Sequence, residues 1–347
     1  MSGAAASSRR KTVMWMGAAA AVATLLAVIS FAPPKEEQQR AEVGRQVLPE
    51  FAANADKVGL VMVTTSEESY HLVRNADPAD SGRAQWVLAE KGSYPVEAER
   101  IAQLTRALSA IKFDRPMTRE DKKFDRIGLG DPLHGGTGAL LEVSDGHGEI
   151  FAKLVVGYRD GRSYVREPDD LQAWAVAGGD MPPLQRGARW LDLDIVSVSP
   201  EAIADVQVRP AQGPSYRLAP ADASGQRFVL APPYANRRVL AGYAPTMIGL
   251  ALSRFSPTDV APANTVASGA PTAQYILRTK KGVAVILQGW RAGDRGWMTV
   301  GAAAAENASP EAVAEARAIN ARAVGWAFAL SQLDWETLTL PLAALVE

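Results

Sequence analysis

The amino-acid sequence predicts an α+β protein in which one N-terminal transmembrane helix precedes two tandem, similar modules of antiparallel sheet plus packed helices. Three observations predict this class: a charge-free apolar segment near the amino terminus, short alternating strands separated by turn residues, and anchor residues that recur along the chain. The chain has 347 residues, of which 47% are hydrophobic and 22% charged. That length suits about two domains, and that composition is typical of a packed globular protein.

The apolar segment at residues 12–32 predicts a transmembrane anchor, because it carries no charged side chain. At about 1.5 Å per residue, a helix of this length matches the roughly 30 Å hydrocarbon core of a bilayer. Basic residues at 9–11 lie just before it, so the positive-inside rule predicts a cytoplasmic tail at 1–11 and a body outside the cytoplasm. A cleaved signal peptide is the alternative, since residues 30–32 resemble a small-x-small cleavage site.

Three further parts follow the anchor in the predicted organisation. Residues 33–57 are polar and helix-favouring, and they predict a short stalk. Residues 58–202 and 203–347 predict a first and a second α+β module, related by an internal repeat. The repeat rests on anchors that occur in the same order in both halves, such as Trp86, which stands 142 positions before Phe228.

A short motif of glycine, arginine and aromatic residues also occurs twice, as GYRDGRSYV at 157–165 and as GWRAGDRGWM at 289–298. In the first copy the motif follows an alternating strand, and Asp160 with the glycine after it is a strong signal for a tight turn, because such turns need positive φ. The motif therefore predicts a β-hairpin rather than a duplicated active site.

Aromatic residues flank both predicted turns. Tyr158 and Tyr164 surround the first turn, and Trp290 and Trp297 surround the second. We expect each pair to meet across its two strands and to cover the sheet.

Apolar residues at helical spacing predict a helix after the first strands of each module. Ile101, Leu104, Leu108 and Ile111 form one stripe, which predicts a helix packed on the first sheet. Pro245 falls inside the matching helix of the second module, so we expect that helix to be kinked or to start late.

Each module is expected to close with a further helix. In the second module Ser309 is a predicted N-cap, followed by a proline at the first helical position and an acid in the first turn. A stripe of mostly small residues, from Ala312 to Leu330, then predicts that this helix packs closely on the sheet.

The composition argues against several classes of function. The formal net charge is −1 with both signs interspersed, which argues against nucleic-acid binding. The sequence has no cysteine, so disulfides, thiolate metal sites and cysteine nucleophiles are excluded. It also has no P-loop, HExxH or GxSxG motif.

The histidines and the acidic pairs do not predict a site. His71, His134 and His147 are too few and too scattered for a metal site, and the glycine-rich loop around His134 lacks the strand-then-helix setting of a dinucleotide fingerprint. Asp192 and Asp194 alternate with leucines, which predicts a solvated strand edge. We therefore predict no catalytic, cofactor-binding or metal-binding residue.

One further segment is rich in charge. Residues 114–126 carry charges of both signs and predict an exposed loop. A docking surface for a partner is the alternative interpretation of this segment.

Several short motifs, taken with the single-span anchor, carry a family resemblance. The motifs are WVL at 86–88, a Tyr-Pro pair at 94–95, RIGLGDP at 126–132, SYVRE at 163–167 and RWLDLDI at 189–195. Their combination resembles the bacterial domain-of-unknown-function 4340 family over most of residues 60–210 and, through the repeat, to the carboxyl end. The family implies no active-site residue.

The resemblance also implies a location and a role. Members of the family are typically membrane-anchored with most of the chain outside the cytoplasm, and many are encoded beside ABC-transporter components of the gliding-motility type. We therefore expect a single-pass protein of the bacterial inner membrane, held by residues 12–32, with a periplasmic body. We expect it to be not an enzyme but an accessory or binding subunit of an ABC-type transport or envelope-assembly complex, with ABC-transporter subunits as partners and no cofactor.

Two alternatives stay open at the level of sequence. The first is an envelope hydrolase that acts on peptidoglycan or another glycan through acidic residues such as Asp131 or Asp192. The second is a passive structural spacer. No motif in the sequence specifies a small-molecule ligand.

Overall fold

The computed structural model describes residues 35–75 and 86–347. Over these residues the chain is α+β, with two antiparallel sheets and several helices. The anchor predicted at 12–32 lies outside the described residues. Among the residues that are described, no helix is both long and apolar enough to cross a membrane.

The first sheet is built from the amino-terminal half of the described chain. Its strands are β1 (Leu60–Thr64), β2 (Ser69–Arg74), β3 (Trp86–Leu88), β4 (Tyr94–Pro95), β5 (Lys112–Pro116), β6 (Ala139–Ser144), β7 (Ile150–Arg159), β8 (Arg162–Arg166) and β9 (Trp174–Ala177). Their order across the sheet is β4-β3-β2-β1-β6-β7-β8-β9-β5. Alternation on β1 and β6 buries one side chain in two along the strand, as the sequence pattern predicts.

The second sheet is built from the carboxyl-terminal half. Its strands are β10 (Ile203–Arg209), β11 (Tyr216–Pro220), β12 (Phe228–Leu230), β13 (Asp259–Pro262), β14 (Ala273–Thr279), β15 (Val283–Ala292), β16 (Arg295–Ala304) and β17 (Trp326–Ala329). Their order is β12-β11-β10-β14-β15-β16-β17-β13. The same relative order occurs in the first sheet, where β4 is added beyond β3.

Helices flank both sheets. They are α1 (Lys35–Glu42), α2 (Pro49–Asn54), α3 (Ala98–Ala110), α4 (Ala244–Gly249), α5 (Ala263–Val266), α6 (Pro310–Ala323), α7 (Gln332–Leu338) and α8 (Leu342–Leu345). The stripe predicted on α3 is confirmed for Ile101, Leu104 and Leu108, which are all buried in the main core, whereas the helix ends at Ala110 and Ile111 is buried just beyond it. The late start of the matching helix is also confirmed, since α4 begins at Ala244 with Pro245 in its first turn.

The closing helix of the second module differs from the prediction at its end. Its predicted cap is confirmed, because the Ser309 hydroxyl accepts a hydrogen bond from the Ala312 amide. However, α6 ends at Ala323, and Gly325 with φ +90° turns the chain into β17. The predicted stripe therefore leaves the helix before Leu330. The matching position in the first module lies between β8 and β9, and the described chain has no helix there.

Both predicted hairpins are confirmed. Arg159 pairs with Arg162, and Ala292 pairs with Arg295, so each hairpin closes through a two-residue turn. Asp160 has φ +51° and the glycine after it has φ +75°, which are the left-handed values that a tight hairpin turn requires.

The aromatic pairs beside these turns have different outcomes. Trp290 lies directly opposite Trp297, as predicted. The predicted pairing of the two tyrosines is wrong, because Tyr158 lies opposite Ser163 and Tyr164 lies opposite a glycine. A difference of one position in register sends the two rings to opposite faces, so Tyr158 is 62% exposed and Tyr164 is 7% exposed.

The described part of the segment predicted as a stalk packs against the first sheet. Phe51 on α2 is only 1% exposed, and α2 contacts both α3 and β7. The Gly44 amide donates to the Phe113 carbonyl oxygen at 2.7 Å, and the Val47 amide donates to the Ile111 carbonyl oxygen at 3.0 Å. From Gly44 onward this segment is therefore packed against the folded body.

One continuous apolar core runs through both sheets. It crosses between them at a contact that we call the seam, formed by residues 91–95 on one side and by β13 and β17 on the other. At the seam the Tyr94 ring meets the Trp326 ring edge to face, with centroids 4.8 Å apart, and lies 6.2 Å from the Phe328 ring. Aromatic contacts of this geometry add to the burial of the rings.

The hairpin turn yields a first prediction. Replacing Asp160 by valine should lower the free energy of unfolding by about 1–2 kcal/mol, because a β-branched side chain is strained at positive φ. Asp160→Asn is the matched control and should stay within about 0.5 kcal/mol of the natural chain, since asparagine tolerates this conformation. Urea unfolding of the full-length chain measures both values. Equal losses in the two variants would contradict the positive φ assigned to Asp160.

Candidate functional site

A cleft of about 730 Å³ opens beside the seam, where the two sheets meet. The first sheet contributes the turn between β1 and β2, part of α3 and the segment 186–193 that follows β9. The second sheet contributes the chain around the start of β13 and the first residue of β16. Because both sheets supply walls, the cleft depends on their relative position.

A buried hydrogen-bonded pair positions the segment 186–193. The Tyr70 hydroxyl donates to the Leu184 carbonyl oxygen at 2.9 Å and accepts from Trp190 Nε1 at 2.9 Å. Both rings are almost completely buried. Burial raises the pKa of Tyr70 well above its ordinary value, so the hydroxyl remains a donor at all physiological pH values.

The close approach of the segment to Tyr70 favours a glycine at position 187. A Cβ atom on Gly187 would lie 3.1 Å from the Tyr70 ring, which is tighter than ordinary van der Waals contact. The Gly187 amide also donates to Glu68 Oε1 at 2.6 Å, so the segment is held from two directions. Arg186 and Arg189 flank this anchored turn and line the cleft.

The carboxylates of the cleft are all engaged. Glu68 accepts the hydrogen bond from the glycine amide, and Glu67 Oε2 lies 3.7 Å from the Arg186 guanidinium. Asp259, whose side chain is 13% exposed, lies 2.7 Å from Lys91 Nζ and 3.5 Å from Arg295 Nη1. Each carboxylate therefore stabilises the site through an amide or a cation.

The cations of the cleft outnumber these carboxylates. Five cationic side chains line it, from Lys91, Arg100, Arg186, Arg189 and Arg295, against three carboxylates, which leaves a surplus of two positive charges. The Arg100 guanidinium also pairs with a glutamate on the same helix turn, at position 97. Within the described part of the chain, the Arg189 side chain has no hydrogen-bond or ion-pair partner.

Asp131 and Asp192, the acidic residues of the hydrolase alternative, do not line this cleft. Asp131 caps a short 3₁₀ turn, because its Oδ1 accepts from the Leu133 amide at 2.9 Å. Its Oδ2 lies 2.9 Å from His134 Nδ1, and that hydrogen bond lowers the pKa of the Asp131 carboxyl. The hydrogen bonds of Asp131, including the one with His134, therefore stabilise a local turn.

Asp192 and Asp194 are both exposed, as predicted, but they do not lie on a strand. The chain from Asp192 to 199 is irregular, because it runs across from the first sheet to the second. The predicted strand edge is therefore wrong. The Asp192 backbone matters more than its side chain, since its carbonyl oxygen accepts a hydrogen bond from the Tyr94 hydroxyl at 2.9 Å.

The remaining histidines have local roles. His71 Nδ1 lies 2.5 Å from Glu90 Oε1, and the His147 amide donates to Asp145 Oδ1 at 2.7 Å in the turn between β6 and β7. Among the described residues, no group of three or more histidine or acidic side chains is arranged to hold a metal ion.

The charged segment 114–126 is only partly an exposed loop. It starts within β5 and ends in a 3₁₀ helix, whose Phe124 side chain is 1% exposed. The Arg166 guanidinium stacks 4.7 Å above the Phe124 ring and donates to three carbonyl oxygens, at positions 167, 168 and 170. Sequence reasoning missed this buried arginine, because an alternating strand gives no sign of which charged side chain turns inward.

The fold and the cleft together define an α+β protein with two antiparallel sheets joined through one core. The family model for "Domain of unknown function (DUF4340)" matches residues 86–264, which is more than half of the chain, and the chain belongs to this family. The match runs from β3 across the seam to the start of α5, so it covers parts of both sheets. No curated protein matches the chain.

The buried pair under the cleft yields a second prediction. Tyr70→Phe should lower the free energy of unfolding by about 1–3 kcal/mol, because the Leu184 carbonyl and the Trp190 indole would lose a partner while they stay buried. Tyr158→Phe is the control, since that hydroxyl is exposed, and it should change stability by less than about 0.5 kcal/mol. Urea unfolding of the full-length chain measures the difference, and identical stabilities would show that the buried hydroxyl contributes nothing.

Proposed function

We propose that this protein is an extracytoplasmic binding subunit, anchored in the bacterial inner membrane, that serves an ABC-type transport or envelope-assembly complex and has no enzymatic activity of its own. The observation that carries the proposal is the cleft beside the seam, whose walls come from both sheets and whose carboxylates are all engaged in ion pairs or hydrogen bonds. Such an arrangement suits the recognition of an anionic ligand, because the cations of the cleft outnumber its carboxylates, and Glu68 and Asp259 are already held by an amide and by cations.

The membrane location belongs to the same proposal. It is supported by the charge-free segment at 12–32 and by the basic residues at 9–11, which orient the chain with its amino terminus in the cytoplasm. The folded body would then lie in the periplasm.

The proposal also includes an internal repeat. Strand order supports it, since the second sheet follows the order of the first with β4 left out. A repeated module explains why a cleft forms between two similar halves, as it does at many domain interfaces. The hydrolase alternative through Asp131 or Asp192 has no comparable support among the described residues, because neither side chain lines the cleft.

The anchor yields a third prediction. A double substitution of Leu25 and Leu26 by arginine should release the protein from carbonate-washed membranes, because each arginine near the middle of a spanning helix costs about 2.5–3.5 kcal/mol. Leu25→Ile with Leu26→Ile is the matched control and should stay in the membrane fraction. If carbonate extracts the natural chain itself, and mass spectrometry shows that the purified chain starts after residue 32, the segment is a cleaved signal peptide.

The transport role yields a fourth prediction. Affinity purification of the tagged full-length chain from membranes solubilised in several mild detergents should recover ABC-transporter subunits in near-stoichiometric amounts, identified by mass spectrometry. An unrelated single-span protein with the same tag is the control for material that co-purifies without specificity. Recovery of the chain alone in every detergent would contradict the proposed complex.

A further inference from the structure

We infer that the cleft beside the seam binds an organic phosphate monoester. This inference rests on the proposed binding role and names the class of ligand. The positive charge of the lining side chains is the first reason: with Arg100 paired to the glutamate at position 97, four cations still face three carboxylates. A phosphate monoester carries about −1.5 to −2 charges at pH 7, so it gains more from this positive surplus than a single carboxylate would.

The chemistry of the cations is the second reason. Four of the five lining cations are arginines, whose planar fork matches the oxygens of a phosphate and donates two parallel hydrogen bonds. Arg189 has no partner within the described residues, and Arg186 and Arg295 meet their carboxylates only at 3.7 and 3.5 Å. Because a guanidinium has five N–H donors, these three side chains keep donors for a ligand.

The placement of these arginines is the third reason. Arg186 and Arg189 belong to the turn that Tyr70 and Trp190 hold from beneath, so their backbone is fixed before a ligand arrives. Arg295 begins β16 on the other side of the cleft, directly after a two-residue turn. A ligand held between them would contact both sheets, and a rigid frame reduces the entropy lost on binding.

The size and the apolar wall of the cleft indicate that the phosphate carries an organic group. A volume of about 730 Å³ lies in the range of sites for small organic ligands and exceeds what an inorganic ion fills. Ala188 and Leu193, both half-buried, line the same space and offer a small apolar surface beside the arginines. A compact group the size of a hexose fits this combination. Phosphate monoesters occur both on soluble sugars and, joined to diacylglycerol, as the headgroup of phosphatidic acid.

Calorimetric titration of the full-length chain in detergent micelles tests the inference, with glucose 6-phosphate, inorganic phosphate and glucose as three separate probes. We expect glucose 6-phosphate to bind more tightly than inorganic phosphate, and glucose not to bind. A fourth titration, with phosphatidic acid in mixed micelles and phosphatidylcholine as its control, distinguishes the lipid source from the soluble one. Absence of binding by both glucose 6-phosphate and phosphatidic acid would overturn the inference.

Substitutions locate the binding in the cleft. Arg189→Gln should weaken binding about tenfold, because it removes one charge-assisted pair of hydrogen bonds. The affinity of Arg189→Lys should lie between those of the natural chain and Arg189→Gln, since lysine keeps the charge and loses the planar fork. Arg162→Gln is the matched control, because Arg162 is also exposed and lies at a hairpin tip outside the cleft. Equal weakening by Arg189→Gln and Arg162→Gln would mean that the anion is attracted by surface charge, and the inference would fall.

The outcome is independent of the search for transporter subunits. Phosphate binding that depends on Arg189, in a chain that purifies without partners, would leave the ligand assignment standing and remove the proposed complex. If the chain recovers transporter subunits but binds neither glucose 6-phosphate nor phosphatidic acid, the ligand assignment falls and the proposed complex stands.

Discussion

The edge-to-face contact of Tyr94 with Trp326 and Phe328 is the interaction on which the remaining architecture depends. Tyr94 belongs to a strand of only two residues at the edge of the first sheet, whereas its partners lie on β17 of the second. Because the three rings pack together, the two apolar cores become one. Large aromatic side chains dominate the energetics of such contacts, and the seam therefore holds two sheets that share no hydrogen-bonded strand.

The charged side chains beside the seam take their arrangement from this packing. Lys91 precedes the short strand and Asp259 begins β13, and the two side chains form a 2.7 Å ion pair across the seam. Asp259 in turn draws Arg295 toward the cleft. The Tyr94 hydroxyl also holds the irregular segment through the Asp192 carbonyl oxygen. Polar contacts of the cleft thus lie directly beside an apolar interface.

Features set by neighbours along the chain could be predicted from the sequence. The alternating strands, the stripe on α3, the cap at Ser309 and the turn at Asp160 depend on local pattern and backbone preference, and the structure agrees with them. The partners of Tyr158 were missed, because a shift of one residue in register exchanges the two faces of a strand.

Features set by distant segments could not be predicted. Phe51 lies in a polar stretch, and only the presence of the first sheet makes its burial favourable. The cleft was missed for the same reason, because its cations come from separate segments that the seam brings together. Arg189 and Arg295 carry no mark in the sequence that separates them from other exposed arginines.

The edge strands of both sheets have a common construction with a consequence for solubility. In the described chain the long strands, such as β15 with ten residues, lie inside the sheets, and the edges are short: β4 and β13 end at Pro95 and Pro262, β5 ends at Pro116, and prolines at 232–233 follow β12. A proline offers no amide to an incoming strand, and a short edge leaves little to pair with. Copies of the chain at high local concentration can therefore meet without joining edge to edge into larger aggregates.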